Sequence, residues 1–238
     1  MKSLCALLLA FASFSLSAQS FEVATVRLCP DNDTRMSVFH DPTSENGRLT
    51  LQRISLEVLL EVAYGVDGYQ LEEPKSARET CYDVSAVTEG DKPVSRDQYR
   101  SMMQKLLEER LHLAVHRETK MLDGYALIAA KGGPKLPPPT QSATGPSIFP
   151  NAILAHRNSV EMLAHLLILP LGRPVVDKTG ISGDFDISLK YAQLTDTDSD
   201  QPSIFVAIKE QLGLQLDPQK VPVEMIVVDK IDKVPTEN

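Results

Sequence analysis

Asp177-Lys178-Thr179-Gly180 is the pattern of an aspartyl nucleophile in phosphoryl transfer, where a carboxylate accepts the phosphoryl group. Ile181 follows where that pattern needs threonine, and the chain has no P-loop to hold a nucleotide. Glycine after polar residues is then read as a hairpin turn between strands at 173–177 and 185–190. Asp196, Asp198 and Asp200 have the spacing that opens a calcium loop, but its sixth and twelfth positions hold Gln201 and Ala207 instead of glycine and glutamate. His112 and His116 would suit zinc on a helix; on the strand expected there they stand about 13 Å apart. His156 and His165 miss helical ligand spacing, and neither HExxH nor GxSxG occurs. No metal, no cofactor and no catalytic set is therefore expected from local motifs, although a triad can be scattered along a chain. One pair remains. Arg53 and Arg157 each stand two residues before a serine, Ser55 and Ser159, placed to cap a helix. A guanidinium beside a helix N-terminus can hold an anion; the alternative is an exposed strand arginine or one paired with a nearby acid.

The chain of 238 residues is 42% hydrophobic and carries a net charge of −8, with 24% charged residues, an ordinary globular balance. Acidity excludes the basic surface that nucleic acid requires, and it disfavours an anionic membrane. Lys2, the apolar run Leu4–Leu16 and Ser17-Ala18 read as a secretory signal peptide over 1–18, too short to span a bilayer, so the protein is expected in the periplasm or outside the cell, with no membrane insertion after cleavage. Processing would leave two of the three cysteines, Cys29 and Cys81. An even count in an oxidising compartment suggests a disulfide; two separate buried thiols are the alternative.

The elements that carry these residues read as an α+β chain built twice. Phe21–Leu28 alternates as a strand, and residues 30–47, with His40, read as a loop. Strand Arg48–Ile54 leads to the Ser55 cap and an apolar stripe of Leu56, Leu59, Leu60 and Ala63, closed by Gly65. Short strands follow at 69–72 and 81–87. Ser95 and Gln98 form a capping box before a helix that buries Tyr99, Met102, Met103, Leu106 and Leu107. His112 suits the left-handed cap, ahead of strands at 113–118 and 124–130. The plan returns after a proline- and glycine-rich linker at 131–151. Strand 153–158 precedes the Ser159 cap and the stripe Val160, Leu163, Ala164 and Leu167, in a helix that Pro170 should cut short. Strands follow at 173–177 and 185–190, then a helix from Ser203 to Gly213, a short strand, a turn and a longer strand. Leu107, Leu111, Leu113 and Val115 align with Ile208, Leu212, Leu214 and Leu216. The expectation is two homologous β-α-β-β-α-β-β repeats, with helices on one face of small sheets. The first, with its leading strand, covers 19–130 and the second 152–238.

Phe21-Glu22-Val23-Ala24-Thr25-Val26, Ala63-Tyr64-Gly65-Val66, Tyr82-Asp83-Val84, His116-Arg117-Glu118-Thr119-Lys120, Arg173-Pro174-Val175-Val176-Asp177-Lys178-Thr179-Gly180, Glu210-Gln211-Leu212-Gly213-Leu214 and the ending Val234-Pro235-Thr236-Glu237-Asn238 together resemble one family. It is the acidobacterial soil-associated family of secreted proteins of unknown function. The family's first strand continues with Lys-Pro; here it is Arg27-Leu28-Cys29-Pro30, which fits a member with an added disulfide. Related units attached to membrane metallopeptidases imply a periplasmic sensing or binding role. Single repeats are similar to the short N-terminal domain of secretins and TonB-dependent receptors. The family has no established catalytic residues to carry over.

The expectation is a secreted, non-enzymatic binding or sensing module, its partner an unknown protein or small ligand of the cell envelope held between the repeats or at a sheet edge. The alternatives are a structural envelope component that assembles through its repeats, and a hydrolase with a scattered active site.

Overall fold

The computed structural model of the chain describes residues 20–30, 37–40, 47–75, 79–140, 144–193 and 200–236. The expected signal peptide and the first two aspartates of the acidic run, Asp196 and Asp198, lie outside them. The described chain is α+β and divides into two compact units, one running to Glu118 and resuming at Met225, the other covering Thr119–Glu224.

In the first unit, strands β1 (Val23–Leu28), β2 (Val38–His40), β3 (Arg48–Ser55) and β5 (Cys81–Val87) form an antiparallel sheet in the order β1-β5-β3-β2. β2 lies inside the stretch expected as a loop: Val38 pairs with Gln52 and His40 with Thr50, so a long-range ladder overrides local turn formers. Helix α1 (Leu56–Tyr64) starts on Ser55, whose hydroxyl accepts from the Val58 amide at 3.3 Å, and stops at Gly65 in the left-handed conformation. Its stripe Leu56, Leu59, Leu60 and Ala63 is buried. Helix α2 (Arg96–Leu111) opens on the Ser95–Gln98 capping box and closes on His112 at φ 45° and ψ 39°. Both helices pack into one core with Leu49, Leu51, Tyr82 and Val84 of the sheet. Cys29 and Cys81 form a disulfide at the end of the β1–β5 ladder, where the Cys29 amide also donates to the Cys81 carbonyl at 3.0 Å.

The second unit repeats several of these devices. Strands β7 (Thr144–Phe149), β8 (Ala152–Asn158) and β10 (Phe185–Lys190) form an antiparallel sheet in the order β10-β8-β7. Helix α3 (Val160–Leu171) starts on Ser159, which accepts from the Met162 amide at 3.1 Å, and ends at Gly172. Pro170 does not cut it short: it sits in the last turn, where the helix is about to end in any case. The hairpin expected at Lys178-Thr179-Gly180 is a turn but not a hairpin, because β9 (Val175–Asp177) runs parallel to β6 (Ala114–Ala129) while β10 pairs with β8. The stretch expected as a linker is held in place. Lys135 N–H donates to the Leu212 carbonyl, the Asp186 amide donates to the Pro137 carbonyl, and residues 144–149 are strand β7.

Two long strands, β6 (Ala114–Ala129) and β11 (Leu214–Lys230), replace the strands expected at 113–118 and 124–130 and the short and longer strands expected after Gly213. The polar residues read as breaks lie on exposed or half-buried strand positions, which polarity alone cannot distinguish from a turn. Gly124 within β6 marks a close backbone approach, since a Cβ there would collide with the Pro174 carbonyl and lie 2.8 Å from Val221 Cγ2. The short strand β4 spans Leu71–Glu72. β4 pairs in parallel with Ile226 and Val227 of β11, and β9 with Tyr125–Leu127 of β6. Residues 226–227, at the end of the expected second repeat, thus complete the first unit; residues 125–127, at the end of the expected first repeat, complete the second.

Candidate functional site

Arg53 and Arg157 occupy the same local geometry. Each lies at an irregularity in its ladder and takes a positive φ, 53° and 52°, unusual for a side chain of this size. The Arg53 amide donates to Asp83 Oδ1 at 3.0 Å and the Arg157 amide to Asp186 Oδ1 at 3.1 Å. The anion beside each arginine amide is therefore the chain's own aspartate, from the motifs Tyr82-Asp83-Val84 and Phe185-Asp186-Ile187. Arg53 is half-buried and Arg157 exposed.

Asp186 ties several segments together. It accepts from the Thr140 hydroxyl at 2.6 Å and the Thr140 amide at 2.8 Å, with His156 Nδ1 at 3.5 Å. The two Thr140 donors, then the Arg157 amide and His156, bring its carboxyl down from the ordinary 3.8 to about 2. A carboxylate with a lowered folded pKa stabilises the fold above the unfolded pKa and loses that contribution as pH falls through the folded value. Melting temperature should therefore fall between about pH 4 and about pH 2 in the wild type. Asp186→Asn should show a flatter profile in that window, measured by circular dichroism.

The other chemistry-bearing residues do not converge on a reaction centre among the described residues. Asp177 Oδ1 accepts from the Thr179 amide at 2.8 Å and the Thr179 hydroxyl at 2.7 Å, so the would-be nucleophile organises its own turn. His112 Nδ1 lies 2.9 Å from Asp232 Oδ2, and His116 Nδ1 lies 2.9 Å from Asp229 Oδ1. The two pairs tie the start of β6 to the C-terminal segment of the first unit.

A groove of about 510 Å³ opens in the second unit, lined by Ala130, Gly132, Gly133, Lys135, Phe205, Val206, Lys209, Glu210 and Gly213. Its wall is helix α4, which begins at Ile204 on the Ser203 cap and passes at Ile208 into a π-helical turn ending at Leu212. Ile204, Ala207, Ile208 and Leu212 face the core. The opposite face carries Phe205 and Val206, 39% and 44% exposed, where a surface helix would ordinarily be polar. The Phe205 ring is set by an edge-on contact with Tyr125, centroids 5.6 Å apart. The floor is the turn at 130–135, in which the Gly133 amide donates to the Ala130 carbonyl at 2.9 Å. Lys135 closes the helix end, its amide on the Leu212 carbonyl and its Nζ on the Glu210 carbonyl, both at 2.8 Å. Gly213 is required twice over: its φ is 64°, and a Cβ would run into the Gly133 carbonyl. Short π-helical turns recur at functional sites because they re-aim side chains.

A family model described as a protein of unknown function (DUF3738) matches residues 57–231. The chain belongs to that family. The match takes in α1 through β11 and every residue of the groove, while β1, Cys29 and Arg53 fall outside it. The Cys29–Cys81 disulfide therefore joins a segment outside the match to one inside it. No curated protein and no solved structure matches the chain.

Sequence reasoning missed the groove. Three apolar residues in a row, Ile204-Phe205-Val206, are more than one buried stripe can use, and that surplus was the available signal.

Proposed function

We propose that this chain is an exported, non-enzymatic binding module that takes its ligand in the α4 groove of the second unit. One observation carries the reading: two exposed apolar side chains and Lys209 share a groove whose volume falls in the range of small-ligand sites. Export is supported by the secretory pattern at 1–18, by the disulfide, and by the resemblance to the acidobacterial soil-associated secreted family. That no described helix is long and apolar enough to cross a membrane is compatible with it. The likeness of single repeats to the secretin and TonB-receptor domain belongs to the same reading. We further take the units to be two copies of one plan, supported by the paired Ser55 and Ser159 caps, the paired left-handed arginines on Asp83 and Asp186, and the left-handed His112 and Gly213 ending α2 and α4. The test is a thermal-shift screen of the full chain against cell-envelope metabolites and short peptides, repeated on Phe205→Ala/Lys209→Gln. Compounds that raise the melting temperature of the wild type and not of the variant support the reading. Compounds that stabilise both equally, or none at all, overturn it.

A second reading, self-assembly, is favoured by a separate patch. Ile148, Phe149, Pro150, Leu169, Pro170 and Tyr191 line an apolar hollow of about 270 Å³ beside β7, the last strand of its sheet. Leu169 is 72% exposed. Exposed apolar edges promote association. If the patch assembles the protein, Phe149→Ser/Leu169→Ser should shift light scattering from oligomer to monomer, whereas a wild-type monomer at high concentration rules assembly out.

A further inference from the structure

We infer that the α4 groove selects small organic anions, with a flat apolar body laid against Phe205 and a carboxylate placed on Lys209. The inference rests on the reading of the groove as a ligand site and adds the ligand's chemical class. Phe205, Val206 and Lys209 project from one face of α4 at spacings of three and four, and all three line the groove. Phe205 and Lys209 are separated by about 6 Å along a helix axis, a span that a ring and a carboxylate two methylenes apart can bridge. The Phe205 ring is fixed by Tyr125 before any ligand arrives, so stacking on it costs little ordering. The two cations of the lining are not equivalent. Lys135 Nζ is engaged with the Glu210 carbonyl. Lys209 makes no ion pair among the described residues, so its ammonium is available to an anion. In a chain of net charge −8, a cation beside exposed aromatic surface is a local reversal of sign, and it favours an anionic over a neutral ligand of the same shape. Glu210, on the same lining, opposes it and supplies a control of opposite sign.

The experiment titrates the full ¹⁵N-labelled chain with 3-phenylpropionate and, separately, with 3-phenyl-1-propanol, which keeps the ring and loses the charge. The acid should move the amide signals of Gly132, Gly133, Val206 and Lys209, and should bind about threefold tighter than the alcohol, as expected of a solvent-exposed ion pair. Lys209→Gln should abolish that preference and Glu210→Gln should increase it. Both substitutions are at exposed positions, and an unchanged spectrum elsewhere shows the fold retained. Phe205→Ala should weaken acid and alcohol alike by about tenfold. Equal binding of acid and alcohol at the groove, or a preference that survives Lys209→Gln, overturns the anion inference and leaves the groove as a site. If neither compound moves the groove signals, the inference and the reading beneath it fall together.

Discussion

Replacing Ile226 with aspartate should unfold the first unit while the core of the second keeps its protection. Ile226 is fully buried and belongs to the core that contains Leu60, Tyr82 and Leu107, although it lies far from them in sequence. Its strand pairs with Leu71 and Glu72. Beyond it, the Tyr82 hydroxyl donates to the Lys233 carbonyl at 2.8 Å, the Asp232 amide to the Leu111 carbonyl at 2.8 Å, and the Thr236 amide to the Arg110 carbonyl at 2.9 Å. Burial at this junction pushes the Tyr82 phenol up to about 12. An unpaired charge in such a core costs about 4–5 kcal/mol, comparable with the whole stability of a small domain. Ile226→Ala should cost about 2–5 kcal/mol and give a graded version of the same loss. Hydrogen exchange read by mass spectrometry separates the units: peptides around Leu49, Tyr82 and Leu107 should lose protection, and those around Ile153, Leu163 and Ile187 should keep it. The reverse pattern would mean that residues after 225 serve the second unit, as a contiguous repeat at 152–238 would require.

Removing the Cys29–Cys81 bond should cost nearly as much. The cysteines are 52 residues apart, and on the chain-entropy account closing such a loop stabilises the fold by roughly 4 kcal/mol. The bond also pins β1 to β5, the only strand partner of β1 among the described residues. Cys29→Ser/Cys81→Ser should lower the urea midpoint by about 2 M, given a slope near 2 kcal/mol/M. Reductant should do the same to the wild type and nothing further to the variant. An unchanged midpoint in reductant would show that the thiols are not paired in the purified protein.

These two effects also mark what a single sequence discloses. Helix starts and stops were legible because capping is local: Ser55, Ser95 with Gln98, and Ser159 each need only three neighbouring residues, and His112 and Gly213 need only a tolerated backbone conformation. The buried stripes of α1, α2 and α3 were legible because periodicity is local too. Strand partners were not. Asp177-Lys178-Thr179-Gly180 turns the chain just as a hairpin would, and nothing in those residues says that β9 adds to β6. Nothing near Met225 says that its strand completes the unit of Leu71. The positive φ of Arg53 and Arg157 was also hidden, because arginine has no preference for it; the clue lay in Asp83 and Asp186, acids each set between an aromatic and a β-branched residue, whose carboxylates satisfy the irregular amides. The groove was half-legible. Its apolar surplus is written in Ile204-Phe205-Val206, but the turn at 130–135 that floors it stood in a stretch read as linker.

The chain contains no tryptophan, so Phe205→Trp would place a single indole in the groove and nowhere else. Its emission, followed while titrating any compound that raises the melting temperature, tests the groove directly. The expected result is a blue shift or quench that saturates over the same concentrations as the thermal shift. A compound that stabilises this variant while the indole emission stays unchanged would place the binding elsewhere and contradict the account.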